Sequence, residues 1–181
     1  MTRQELEHAI RAACDIAADG ELWVFGSQAI LGEFPDPPEA LRQSIEVDVA
    51  PRNRPERADA IDAMLGELSQ FHKTYGFYVH GLSIESATLP KGWQDRTVAV
   101  DGRAAKPTTG WCLEAHDLAA SKLTAFREKD RRFVRTLIVE ELVDPGILVE
   151  RIALLPVEEE VRERLVKWVR TTANNWAAPG G

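Results

Sequence analysis

Two acidic residues set one position apart, Glu46 and Asp48, are the most chemically suggestive pair in this chain. They sit in Ser44-Ile45-Glu46-Val47-Asp48-Val49, where Ile45, Val47 and Val49 alternate with the acids. In an extended strand that alternation puts both carboxylates on one face and the apolar side chains on the other. Adjacent carboxylates repel unless water screens them or a divalent cation lies between them. Upstream, the apolar stretch Leu22-Trp23-Val24-Phe25 runs into Gly26-Ser27. A Gly-Ser turn offers close backbone approach, backbone N–H groups and a hydroxyl, which suit a phosphate. Together the two segments suggest a site for a metal-bound nucleoside triphosphate.

Those residues need a scaffold. Thr2 and Glu5 form a capping-box pattern, opening a helix that buries Leu6, Ile10, Ala13 and Ala17 and stops at Asp19-Gly20. A strand over Leu22–Phe25 follows, and Gln28–Leu31 starts a further helix. The Pro-rich stretch Gly32–Pro38 is a candidate wall of the site. A helix over Glu56–Leu68 turns Ala58, Ile61, Met64, Leu65 and Leu68 inward, and strands are expected at Phe77–His80, Ile84–Leu89 and Thr97–Val100.

From His116 the pattern is helical. Asp117 is a potential cap, a second helix spans about Lys129–Val143, and Asp144-Pro145 marks a break. Two shorter helices then fill Pro145–Leu155 and Val157–Thr172, and the chain from Ala173 is expected to fray. The expected class is α+β: an N-terminal mixed sheet with flanking helices, then a C-terminal helical part. The boundaries read as 1–112 for the α/β core, 113–173 for a helical part completing the site, and 174–181 for a flexible tail.

The Gly-Ser turn followed by acid-x-acid resembles the polymerase-β-like nucleotidyltransferases. The run Asp117-Leu118-Ala119-Ala120-Ser121-Lys122-Leu123-Thr124-Ala125, then Arg127-Glu128-Lys129-Asp130, is similar to the lysine and aspartate motifs of the AbiE-type toxin branch. The resemblance covers roughly Leu22 to Leu142. It implies Mg²⁺ held by Glu46 and Asp48, phosphates held by Gly26, Ser27 and Lys122, and Asp130 as an auxiliary base or an orienting partner for Lys122. Arg127 is a further phosphate candidate or an ion-pair partner. Many relatives carry Asp at the first acid, so Glu46 departs from the pattern.

A third metal-side carboxylate is common in that superfamily, and Glu85 is the first candidate for it, ahead of Asp95 and Asp101. The interval from Lys122 to Asp130 is short, and on one unbroken helix eight residues leave the two about 80° apart. A break near Glu128 would bring them together. The resemblance also implies transfer of a nucleotide from a triphosphate to an acceptor, with tRNA as the acceptor and a cognate antitoxin as a partner. Nucleotidylation of a protein or of a small molecule, or a catalytically silent binding module of the same fold, are the alternatives.

The chain has 181 residues, enough for one substantial core. Its formal net charge of −7 disfavours non-specific nucleic-acid binding by the whole surface. Arg127, Lys129, Arg131, Arg132 and Arg135 still crowd one segment, as a solvated helix face or a phosphate-facing edge. No run is long enough for a membrane span, and no apolar leader follows Met1. Cys14 and Cys112 read as buried thiols of a reducing compartment, so a cytoplasmic location is expected. His72, His80 and His116 lack zinc-site spacing, and no structural metal is expected of them. Trp93 and Trp111 are candidates for stacking or for packing.

Overall fold

The computed structural model describes residues 1–102 and 106–177, and the chain divides into two compact units. The first comprises Met1–Ala87 and Arg96–Glu114; the second comprises Thr88–Asp95 and the chain from Ala115.

The first unit is a five-stranded mixed sheet with helices. Helix α1 (Arg3–Ala17) begins at the expected capping box, in which Thr2 and Glu5 satisfy each other's backbone N–H groups. Its apolar stripe, Leu6, Ile10, Ala13 and Ala17, is fully buried. Strand β1 (Glu21–Val24) follows, then a single 3-10 turn (Ser27–Ala29) and the four-residue helix α2 (Ile30–Glu33). Strand β2 (Glu46–Pro51) carries the acids, and helix α3 (Ala58–Leu65) and helix α4 (Gln70–Tyr75) lead to β3 (Tyr78–Gly81). Strands β4 (Val98–Asp101) and β5 (Thr109–Cys112) complete the order β3-β2-β1-β5-β4. β1 runs antiparallel to β2 and parallel to β5, and β2 runs parallel to β3.

One side chain ties the register of β1 and β2 together. The carboxylate of Asp19, just after α1, accepts hydrogen bonds from the backbone N–H groups of Glu21, Asn53 and Arg54 and from the Asn53 amide. Burial alone would raise its pKa, but these four donors outweigh that and hold it below the ordinary aspartate value. The chain entering β1 is thereby clamped to the chain leaving β2. Farther along the sheet, Arg52 lies over the rings of Trp23 and Trp111 at 4.6 and 5.2 Å, and Glu21 accepts from Arg52 and from the Trp111 indole N–H. Trp111 is thus occupied in a stacked, hydrogen-bonded cluster.

Several expectations need correction. Ile84–Ser86 is a 3-10 turn capped by the Ser83 hydroxyl, not a strand, because local side-chain capping competes with sheet pairing there. Strand β5, which the sequence reading passed over, is a four-residue segment between Pro107 and the following helix. Helix α3 ends at Leu65, so Leu68 lies beyond it and is exposed; Met64, within the helix, is on its outer face and exposed rather than inward, as is Ile45.

The second unit is helical: α5 (Ala115–Ala125), α6 (Glu128–Val139), α7 (Pro145–Ala153) and α8 (Glu159–Ala177). Asp144 caps α7 by accepting from Ile147 N–H, with Pro145 at the first helical position. Asp117 lies inside the first turn of α5, fully buried, and pairs with Arg151 of α7 at 3.2 Å. Trp93 is buried and belongs to this unit's packing, not to an open stacking surface. Helix α8 continues through Ala177, past Ala173 where fraying was expected; residues 178–181 of the expected tail lie outside the described residues. Among the described residues no helix is long and apolar enough to cross a membrane.

Candidate active site

The two acids meet the Gly-Ser turn through the pairing of β1 with β2. Val24 lies opposite Val49, and Phe25 N–H donates to the Asp48 carbonyl at 3.2 Å. The chain leaving β1 therefore passes directly beside Asp48. Gly26 is extended, with φ −78 and ψ −168, a conformation open to any residue. What demands glycine is contact: a Cβ there would stand 1.8 Å from Oδ2 of Asp48. Ser27 follows at the start of the 3-10 turn, half-exposed. Gln28 is fully buried and donates through Nε2 to the Ser44 carbonyl at 3.0 Å, which fixes the chain entering β2 to this turn. The helix expected to start at Gln28–Leu31 takes the form of the 3-10 turn and the short α2, which ends at Glu33.

Alternation along β2 works as the sequence implies: Val47 and Val49 are fully buried, while Glu46 and Asp48 stay half-exposed on the opposite face. The parallel neighbour β3 adds to that face. Its register sets Tyr78 beside Glu46 and His80 beside Asp48. His80 Nδ1 lies 3.1 Å from Glu46 Oε1 and 3.5 Å from Asp48 Oδ1, and its Nε2 lies 3.8 Å from Asp62 Oδ1 on α3. One donor atom each from Glu46, Asp48 and His80 falls within 4.8 Å of the others. Tyr78 stands beside Glu46 in that register; burial, then the charges of Glu46, Glu67 and Asp48, push its phenol up to about 12, so it stays neutral there.

This donor set fits a divalent cation. Two carboxylate oxygens and an imidazole nitrogen converge at separations that ligands around one ion adopt, and the missing side chain at Gly26 is what leaves room for the Asp48 carboxylate among them. Glu85 does not contribute to the cluster: it sits exposed on the 3-10 turn after β3 and accepts from Ser83 Oγ at 2.5 Å. Asp101 ends β4, on the opposite edge of the sheet from β3, and Asp95 belongs to the second unit. The sequence reading missed His80 because zinc-type spacing was the only test applied to the histidines. The usable signal was its place in Tyr78-Val79-His80, a strand in which every second residue shares a face.

In the second unit, the break between α5 and α6 that the lysine–aspartate interval required is present. Phe126 adopts φ +51, and Arg127 is extended before α6 begins. A left-handed backbone is costly for an aromatic residue. The ring packs edge-on against Trp168 of α8, with the guanidinium groups of Arg131 and Arg164 at 5.0 and 4.9 Å. The reversal brings Lys122 Nζ to 3.8 Å from Asp130 Oδ1. Asp130 is buried and accepts from Arg127 Nε at 2.7 Å, and Lys122 also lies over the Phe133 ring at 4.8 Å. The hydrogen bond and charge of Asp130 hold the Arg127 pKa above its ordinary value. The basic run is partly spent internally: Arg132 pairs with Glu128 at 2.5 Å and Arg131 covers Phe126.

Comparison with known proteins agrees with the first unit's geometry. No curated protein and no solved structure matches the chain. The model of a family described as "Nucleotidyltransferase of unknown function (DUF6036)" matches residues 4–175, nearly the whole chain and both units. That match, over nearly the whole chain, makes this chain a member of that nucleotidyltransferase family.

Proposed function

We propose that the chain transfers a nucleotide from a nucleoside triphosphate to an acceptor hydroxyl in a reaction that needs a divalent cation. The observation that carries this reading is the fit of the Asp48 carboxylate into the space left by Gly26. It sets a metal-ligating oxygen directly against the Gly-Ser turn. Glu46 and Asp48 would hold the cation, which when bound would neutralise charge on the phosphate oxygens and orient them. Gly26 and Ser27 offer backbone N–H groups and a hydroxyl to the phosphates.

The acceptor oxygen forms a bond to the α-phosphorus, the bond to pyrophosphate breaks, and the acceptor's proton is released. Lys122 and Arg127 are assigned to the triphosphate through their resemblance to the toxin motifs. The burial of Asp130 between those two cations favours an orienting role for it over that of a base.

The same resemblance makes the toxin of a type IV toxin–antitoxin pair the biological setting and tRNA the acceptor. Incubation with Mg²⁺, each α-labelled nucleoside triphosphate and either total tRNA or cell lysate tests this, with Asp48→Ala alongside. Label that appears with the parent protein and disappears in a folded Asp48→Ala supports the transferase reading. Label retained by that variant overturns it. Label on RNA, formed less readily as salt rises, supports tRNA; label on protein or on a small molecule replaces it.

A further inference from the structure

We propose that His80 is the third protein ligand of the divalent cation, and that its imidazole tilts the site from Mg²⁺ towards Mn²⁺. This rests on the nucleotidyltransferase reading for the presence of a cation, and adds a residue to which no role has been assigned. Two independent features of the first unit point to it. The strand register places His80 beside Asp48, with Nδ1 at 3.1 and 3.5 Å from one oxygen of each acid. That is the spacing of atoms that share an ion, and Nδ1 is the ring nitrogen nearer both.

The second feature is behind the ring. Nε2 faces Asp62 Oδ1 at 3.8 Å. Metal-bound imidazoles characteristically give their remote N–H to a carboxylate, which fixes the tautomer and raises the basicity of the ligating nitrogen. Asp62 is on hand for that task, held on α3, which packs closely on β3: a Cβ at Gly81 would meet the Ala58 carbonyl at 2.1 Å.

An all-oxygen set suits Mg²⁺, a hard ion that keeps several waters in a rigid octahedron. Exchanging one carboxylate for a neutral imidazole removes a negative charge and supplies a nitrogen, to which ions higher in the divalent first-row series bind better than Mg²⁺ does. Mn²⁺ accepts both oxygen and imidazole ligands. Of the two hard ions, the site is therefore expected to bind Mn²⁺ more tightly than Mg²⁺.

Electron paramagnetic resonance of the full chain with Mn²⁺ alone, without nucleotide, reads this directly. The expected result is a bound Mn²⁺ spectrum with electron spin-echo modulation from a directly coordinated ¹⁴N. His80→Asp should keep the bound ion, lose the nitrogen modulation and bring Mg²⁺ and Mn²⁺ affinities closer together by competition. His80→Gln serves as a second variant should the added carboxylate unfold the protein, circular dichroism reporting the fold of each. Bound Mn²⁺ without nitrogen coupling in the parent protein would overturn the proposal, as would coupling that persists in a folded His80 variant or no Mn²⁺ uptake at all. Label transfer without nitrogen coupling would leave the transferase reading standing and remove His80 from it. Nitrogen coupling without label transfer would do the reverse.

Discussion

The carboxylate of Asp48 occupies the position where a side chain at residue 26 would begin: Oδ2, Cγ and Cβ of Asp48 lie 1.8, 2.7 and 2.9 Å from an ideal Cβ on Gly26. Glycine at 26 is a consequence of where the acid sits, since the backbone there is ordinary extended chain. Gly26→Ala is expected to fold, lose about 1–3 kcal/mol from overpacking, and lose cation binding as Asp48 is pushed aside. In an Asp48→Ala background the same change should cost much less. A double-mutant cycle by urea unfolding measures the difference, and additive losses would refute the steric account.

The Asp19 clamp makes stability depend on pH in one direction. Its folded pKa is depressed, so its contribution is complete above the ordinary aspartate range and fades as pH falls through the folded value. Asp19→Ala should cost about 2–3 kcal/mol at pH 7, because backbone donors of Glu21, Asn53 and Arg54 lose their acceptor. Denaturation at descending pH should show the gap between parent and variant closing in strongly acidic solution. A gap that stays constant would mean the carboxylate's charge is irrelevant.

Removal of Asp117 leaves Arg151 facing a buried site with its 3.2 Å partner gone. Asp117→Ala is expected to destabilise by about 3 kcal/mol or more, the scale of breaking one half of a buried ion pair. Thermal unfolding gives the answer. Restoration of stability by Arg151→Met in the same background would identify the stranded cation as the cause.

Burial pushes the thiols of Cys14 and Cys112 up to about 12, and both are free. They are expected to stay unmodified by an aromatic disulfide reagent at neutral pH and to react together once the chain is unfolded. Rapid reaction of either in the folded protein would contradict their burial.

The sequence was most readable where local chemistry and tertiary packing agree. The capping box at Thr2 and Glu5, the alternation in Glu46-Val47-Asp48-Val49 and the Asp144-Pro145 helix start all encode their own geometry within a few residues. Segments whose conformation is decided from outside were not readable. Ile84–Ser86 has a strand's composition, yet the Ser83 hydroxyl captures its backbone. Met64 and Leu68 look like core residues on a helix that stops short of the second of them.

The site divides along the same line. Glu46, Asp48, Gly26 and Ser27 lie on adjacent elements and show as a motif. His80 and Asp62 reach it through a parallel strand and a helix, so no short spacing betrays them. The reversal at Phe126 was inferable only as a requirement of the Lys122–Asp130 pairing; its cause is a Trp168 more than forty residues away.

The second unit is not contiguous. Thr88–Asp95 belongs with the helices that begin at Ala115, although Arg96–Glu114 returns to the sheet in between, and Lys91 N–H is hydrogen-bonded to the carbonyl of Leu154. No single cut divides this chain into two self-sufficient fragments. A truncation after Glu114 would strand the segment around Trp93 without the partners it is buried against. On the ribosome, that segment must wait for some sixty further residues before its docking surface exists, and it emerges ahead of β5, an interior strand of the sheet. The two units are therefore bound to mature as one synthetic event, and swapping either between relatives calls for three splice points instead of one.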